Sequence, residues 1–180
     1  MKYVIITLIL SIFTSNLLGQ DVNENDVIKV IRDILSKDTS EIIYTHFLNP
    51  GVVDYNKEVF IKSGRKIYSK NSDTIFLTKS EQRYIIAQFT SIKYHVWKDK
   101  IIEKSKRIYE DSIRSYLRNN FSINVYEFSK PIFIRKNTIC LVYIMRLCCG
   151  DIYGPTHLGF YRKNKLNIWE KWITVASGDF

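Results

Sequence analysis

One short bend in the last third of the chain gathers most of the side chains that can do chemistry. Residues 146–163 read RLCCGDIYGPTHLGFYRK, with two adjacent cysteines, an aspartate and a histidine. A cysteine thiolate attacks a substrate when a neighbouring base or cation lowers its pKa. The bend therefore offers one candidate catalytic set, with Cys149 as nucleophile, His157 as base and Asp151 to orient the histidine. With this set the protein would be a hydrolase or a thiol enzyme.

The same bend has a structural interpretation, which we favour. Gly150, Gly154 and Pro155 are the residue types that any tight reversal of the chain requires. Cys140 and Cys148 lie on one predicted strand, roughly 26 Å apart at about 3.3 Å per residue, whereas a disulfide requires Cα atoms within about 7 Å. We therefore expect Cys140 to be buried as a small apolar residue.

A metal site in the bend would have to use Cys148, Cys149, Asp151 and His157. Zinc sites favour cysteines spaced about two to four residues apart and usually have four protein ligands. Adjacent cysteines rarely both reach one ion. We therefore predict no metal and no other cofactor.

The remaining polar candidates are weaker. His46 and His95 are isolated in the sequence and are expected at the surface or half-buried. Asp54 and Glu58 would be paired carboxylates if their stretch were helical, but acid–base catalysis requires such groups to flank a substrate. The segment KSGRK at 62–66 has neither the length nor the following helix of a phosphate-binding loop. We therefore expect a protein that is not an enzyme, with the Cys149 set as the alternative.

The chain is basic, with 27 Lys and Arg against 18 Asp and Glu and a net charge of +9. Such a balance can indicate nucleic acid, anionic lipid or acidic glycan as a partner. Here the cations are dispersed, and Ile, Lys, Asn and Tyr are all abundant, as in proteins of AT-rich genomes. We therefore predict no nucleic-acid partner.

One local exception is a helix predicted at residues 101–119. Its apolar residues face inward, and its outward face, from Lys104 to Arg118, is basic. Such a face is usually only solvated. If this face binds a polyanion, the candidate binding residues are Lys106, Arg107, Arg114 and Arg118.

The first residues, MKYVIITLILSIFTSNLLGQ, have the layout of a secretory signal peptide: one lysine, an apolar run and a polar end. The apolar run is shorter than the about 20 residues that span a bilayer. We therefore predict a signal peptide at 1–20 and a single exported domain at 21–180, secreted or periplasmic. No membrane span is expected in the mature chain.

The first two-thirds of the chain predict helices and short strands. Apolar spacing favours a helix at 23–37. The segment SEIIYTHFLNPG reads as an extended or short helical piece that ends at 49–51. Short strands are predicted at 59–62 and 74–77. Thr78 and Glu81 fit a capping box, which starts a helix that presents Ile85, Phe89, Ile92 and Val96 on one face.

The last third is rich in β-branched and aromatic residues, which favour strands. Strands are predicted at 132–135, 138–148, 156–162 and 168–175, with turns at 136–137 and 164–165. The strand at 138–148 is apolar on both faces and is therefore predicted to be central. Trp169 and Trp172 should face opposite sides of their strand. The predicted fold class is α+β, with N-terminal helices packed on a C-terminal antiparallel meander.

Three pieces of this last third resemble a pattern in small exported bacterial proteins: FSKPIF at 128–133, C-G-x-x-x-G at 149–154 and WEKW at 169–172. In similar sequences the bend is C-G-x-x-C-G, whereas here Tyr153 stands at the second cysteine position. The resemblance implies export and carries no activity. By analogy, the element order would suit a cystatin-like or NTF2-like fold, which does not fix function.

Three hypotheses follow from these patterns. The first is a non-enzymatic binding or accessory module at the cell envelope, with an unknown envelope or extracellular ligand. The second is the hydrolase or thiol enzyme centred on Cys149 and His157. The third is the polyanion binder that uses the basic helix face. The geometry around His157 and around the basic residues discriminates among them.

Overall fold

Helices and strands alternate in the first two-thirds of the chain, whereas the described part of the last third contains strands. A computed structural model describes residues 22–35, 41–69, 72–120, 123–148 and 155–179. Within these ranges the helices are α1 (Glu24–Leu35), α2 (Pro50–Ser63), α3 (Lys79–Lys93) and α4 (Glu110–Asn119). The strands are β1 (Ile42–Thr45), β2 (Lys66–Tyr68), β3 (Thr74–Phe76), β4 (Ser105–Ile108), β5 (Val125–Phe128), β6 (Ile132–Ile134), β7 (Ile139–Leu147), β8 (Pro155–Lys163) and β9 (Trp169–Asp179). The α+β class predicted from the sequence is confirmed.

Among the described strands, seven form one mixed sheet in the order β4-β1-β5-β7-β8-β9, with β6 also paired to β7. Strand β1 runs parallel to both β4 and β5, and the other pairs are antiparallel. Strands β2 and β3 form a separate hairpin. The strands of the C-terminal meander are therefore as predicted, whereas the parallel pairing of β1 with β4 was not predicted.

Helix α1 covers one face of the sheet. The first six residues of β7 are all buried, which confirms its central position. On this face Cys140, Val142 and Ile144 pack in one apolar cluster with Val30 and Ile31 of α1. The Cys140 side chain is fully buried, as expected, and burial raises the pKa of its thiol.

The opposite face is covered by the other three helices. Phe60 of α2 and Phe89 of α3 pack with Leu141, Leu158 and Phe160 of the sheet. Nearer the β4 edge, α4 packs through a separate apolar cluster that includes Ile43, Ile113, Leu117, Val125 and Leu147. The sheet is thus the middle layer between helices.

Several local predictions are confirmed. The Thr78 hydroxyl accepts the Glu81 backbone N–H at 3.1 Å, and the Glu81 carboxylate accepts the Thr78 backbone N–H at 2.8 Å. Helix α3 then buries Ile85, Phe89 and Ile92, whereas the helix ends at Lys93, so Val96 lies beyond it and is exposed.

The tryptophans of β9 also behave as predicted. Trp169 is buried in the cluster under α1, and Trp172 packs against the cluster on the opposite face. The Arg162 guanidinium lies 5.0 Å from the centre of the Trp172 ring. Trp169 and Trp172 therefore point to opposite sides of the sheet.

Residues 49–51 begin a helix, although the sequence predicted that they end an element. The Asn49 side chain accepts the Gly51 backbone N–H at 2.8 Å, and Pro50 occupies the first turn of α2. Proline suits that position because its missing N–H would have no partner there. The predicted strand at 59–62 is consequently wrong, since these residues lie inside α2.

The single helix predicted at residues 101–119 is also wrong. Lys104 has a positive φ of 59°, which breaks the helical path. The next four residues form β4, paired in parallel with β1 from Ser105 opposite Ile42. The helical part of the predicted segment begins at Glu110, the first residue of α4. Pairing with a distant strand overrides the local apolar spacing of this segment.

Candidate functional site

The predicted catalytic set falls mostly outside the described residues, which exclude Cys149 and Asp151. His157 lies on β8, half-buried, with its Nε2 hydrogen-bonded to the Tyr161 hydroxyl. Burial, helped by the Lys171 charge, lowers the pKa of the imidazole to about 4. The ring is therefore neutral at neutral pH and already has a hydrogen-bond partner. The pairing of His157 with Cys149 stays a prediction.

The depressed pKa makes His157 a source of acid sensitivity. The unfolded chain binds a proton at this residue below about pH 6.5, whereas the folded chain resists it until about pH 4. Stability from this group is therefore present above about pH 6.5 and lost as the pH falls. We expect His157→Gln, relative to wild type, to gain about 3 kcal/mol of unfolding free energy between pH 7 and pH 4. Urea titrations across this range measure it, and a pH-independent difference would contradict it.

The four basic candidates do not lie on one helix face, which corrects the sequence prediction. Lys106 and Arg107 lie on β4, and Arg114 and Arg118 lie on α4. The Arg107 guanidinium donates to the Trp97 carbonyl oxygen at 2.7 Å, so it is tied to the protein's own backbone. The continuous basic helix face proposed for a polyanion is therefore not formed.

The other isolated candidates have structural surroundings. The His95 ring makes a T-shaped contact with the Trp97 ring, with centroids 4.4 Å apart. His95 is half-buried, as predicted. His46 is also half-buried. The Lys93 ammonium donates to the Asp54 carboxylate at 2.6 Å, which links α3 to α2 across their exposed sides. Within the described ranges no three metal-ligating side chains cluster together.

A cavity of about 380 Å³ opens between the start of α2 and the sheet. We call it the Glu127 cavity. Strands β5, β7, β8 and β9 and the first turns of α2 supply its walls. Its polar and aromatic lining includes Asn49, Tyr55, Asn56, Glu127, Tyr143 and Thr156, and its apolar lining includes Val52, Met145, Leu158 and Ala176.

Glu127 is the acidic side chain in the described lining of this cavity. It lies on β5 opposite Met145 of β7, and only 7% of its surface is exposed. Its Oε2 atom is buried and has no hydrogen-bond partner among the described residues. Burial raises the pKa of the Glu127 carboxyl to about 7, and the nearby Glu110 carboxylate contributes in the same direction. At neutral pH the group therefore exists in both protonation states.

A second cavity, of about 390 Å³, lies beside α4, and Glu127 lines it as well. We call it the α4 cavity. Its lining includes Glu110, Asp111 and Arg114 of α4 and Leu147 of β7. Glu127 thus lines both cavities, the first without a described lysine, arginine or histidine and the second with charged side chains of α4.

Tyr143 also lines the Glu127 cavity. Burial, with the negative charge of Glu127, raises the pKa of its phenol, so the hydroxyl stays protonated. Its backbone N–H donates to the Ser129 hydroxyl at 3.0 Å, which helps to fix this part of β7. The cavity therefore presents a neutral phenol beside a titrating carboxyl group.

The sequence predictions did not include Glu127 or Tyr143. The sequence did carry one sign of Glu127: it is the acidic residue in the otherwise apolar strand VYEF. It lies two residues after Val125 and therefore on the same face of the strand. A charged residue at an inward position is expensive to bury, and such residues are often functional.

Neither the known family models, nor the curated proteins, nor the solved structures include a match to this chain. In the described ranges, no helix has both the length and the apolar character needed to cross a bilayer. The function must therefore be argued from the geometry of the site.

Proposed function

We propose that this protein is an exported binding module that holds a small, largely apolar molecule in the Glu127 cavity. The observation that carries the proposal is the Glu127 side chain, which lines the cavity while its buried Oε2 atom has no hydrogen-bond partner among the described residues. A buried polar group without a hydrogen bond destabilises a fold by about 1–3 kcal/mol, and a donor on a bound ligand would offset this cost for the carboxyl group at the cavity wall.

The shape and lining of the cavity support binding. A volume of about 380 Å³ lies in the range of small-molecule sites, which are mostly apolar with a few placed polar groups. Met145, Leu158 and Ala176 supply apolar surface, while Glu127 and Tyr143 supply orientation. The described lining contains no cysteine or histidine. It therefore favours ligand binding over covalent chemistry.

Export is part of the proposal and rests on the signal-peptide pattern at residues 1–20, which lie outside the described residues. A ligand for an exported module is a molecule of the envelope or of the surroundings. A binding module needs no cofactor or metal to act in this way.

Filling the cavity tests the proposal. Ala176→Phe places a ring in the cavity wall, and Ser91→Phe on the exposed side of α3 is the matched control. A mixture of small neutral, cationic and anionic aromatic compounds, each at about 1 mM, is screened by ligand-observed NMR. We expect some compounds to bind wild type and the control, and their affinity to fall about tenfold or more in Ala176→Phe.

Two results would contradict the proposal: no compound binding to wild type, or binding that Ala176→Phe leaves unchanged. Because Ala176 is half-buried, the larger ring can disturb packing, and urea unfolding checks that the variant is folded. Ser177→Trp, at an exposed residue of the same cavity wall, gives a second way to obstruct the site.

A further inference from the structure

We infer that the ligand of the Glu127 cavity is a cation, a primary or secondary amine on a small apolar body. The inference rests on the proposed function and names its ligand class. It follows from one juxtaposition in the cavity wall: the largely buried Glu127 carboxyl side chain, two tyrosine side chains, and a lining in which the described residues include no lysine, arginine or histidine.

The charges around Glu127 favour a cation. From α4, Glu110, Asp111 and Arg114 face it across the α4 cavity. Tyr143 of β7 lines the Glu127 cavity, as does Tyr55 of α2. Arg114 is the one cation among these groups, and it is exposed on α4 and lines the other cavity. The described lining of the Glu127 cavity therefore holds a carboxyl group and no basic side chain, a balance that favours a cation over an anion.

The chemistry of the walls fits an ammonium group better than a hydroxyl. An ammonium forms a charge-assisted hydrogen bond with a carboxylate, which is roughly twice as strong as a neutral one. Aromatic faces within about 6 Å of a cation add a further attraction. Met145 and Leu158 offer apolar surface to the rest of the molecule.

Proton linkage gives the inference a distinctive signature. An ammonium binds the ionised form of Glu127, so its affinity must rise with pH until the carboxyl group is fully ionised. A neutral alcohol would gain most from the protonated form, and its affinity would fall over the same range. With a Glu127 pKa of about 7, the affinity of an amine should rise about tenfold between pH 6 and pH 8.

The test compares phenethylamine with phenethyl alcohol, which have the same body and differ in charge. Isothermal titration or NMR titration gives both affinities for the full protein at several pH values. At pH 7 we expect the amine to bind about tenfold more tightly than the alcohol. Glu127→Gln should bring the two compounds within about twofold, whereas Glu103→Gln, at an exposed turn, should leave the preference intact.

The outcomes separate the two proposals. Any one of three results would overturn the inference: equal affinity for amine and alcohol, an amine affinity that does not rise with pH, or an amine preference that survives Glu127→Gln. Each of them would still leave a binding cavity. Failure of both probes, together with failure of the whole compound mixture, would overturn the proposed function itself. The pH profile of wild type decides the matter even if Glu127→Gln does not fold.

Discussion

Phe60→Ala should lower the free energy of unfolding by about 3–5 kcal/mol, since it removes a fully buried ring from the centre of the helix–sheet contact. The Phe60 ring lies 6.0 Å from Phe89 of α3 and 6.4 Å from Phe160 of β8, measured between centroids. The substitution therefore opens a cavity among three elements at once. Urea denaturation followed by circular dichroism measures the change as a lower midpoint at constant slope.

The matched control is Phe76→Ala, the same chemical change at a ring that is 61% exposed on the β2–β3 hairpin. There we expect a loss of at most about 0.5 kcal/mol, the usual range for surface positions. If the two variants lost similar amounts of stability, α2 would not be packed on the sheet as described.

Phe60 also shows where local sequence signals fail. Val59, Phe60 and Ile61 all favour strands, so the pattern predicted one. In the structure Val53 and Phe60 are buried at helical spacing, and the helix starts at Pro50. The deciding information was the start signal ten residues upstream, together with tertiary packing that overrides weak propensities.

Strand β4 was missed for a different reason. Ile102 and Ile113 have spacing compatible with a helix, but Ser105–Ile108 pairs in parallel with β1, a segment distant in the chain. Parallel pairs require long connections, so neither partner carries a local sign of the other. The antiparallel strands β6 to β9 were predictable because each pairs with its neighbour in the sequence and alternates in pattern.

The site was less predictable than the fold. Cysteine and histidine attracted attention because their chemistry is visible in the residue type, whereas the chemistry of a glutamate depends on its burial. Glu127 acquires its properties from the sheet beneath it and from α4 and α2 beside it. Those contacts join segments far apart in the chain, and a single sequence does not reveal them.

Glu127→Gln should stabilise the protein above pH 7 and have little effect near pH 4. In the folded chain burial raises the pKa of this carboxyl from 4.5 to about 7, so the folded state binds the proton more tightly than the unfolded state. The stability from this group is complete below about pH 4.5 and is lost as the pH rises to about 7. Glutamine carries no charge to bury, so the variant should gain up to about 3 kcal/mol over wild type above pH 7.

Unfolding free energies of both proteins between pH 4 and pH 8 provide the measurement, and their difference isolates Glu127 from every other titrating group. His157 makes the isolation necessary, because its contribution has the opposite slope: the lowered pKa of its imidazole removes stability as the pH falls. The two pH dependences partly cancel in wild type, so its free energy of unfolding can change little with pH. Glu103→Gln, an exposed control, should follow wild type at every pH. A variant-minus-wild-type difference that stays constant with pH would mean that Glu127 ionises as an ordinary surface carboxyl group, and the basis for an amine site would be gone.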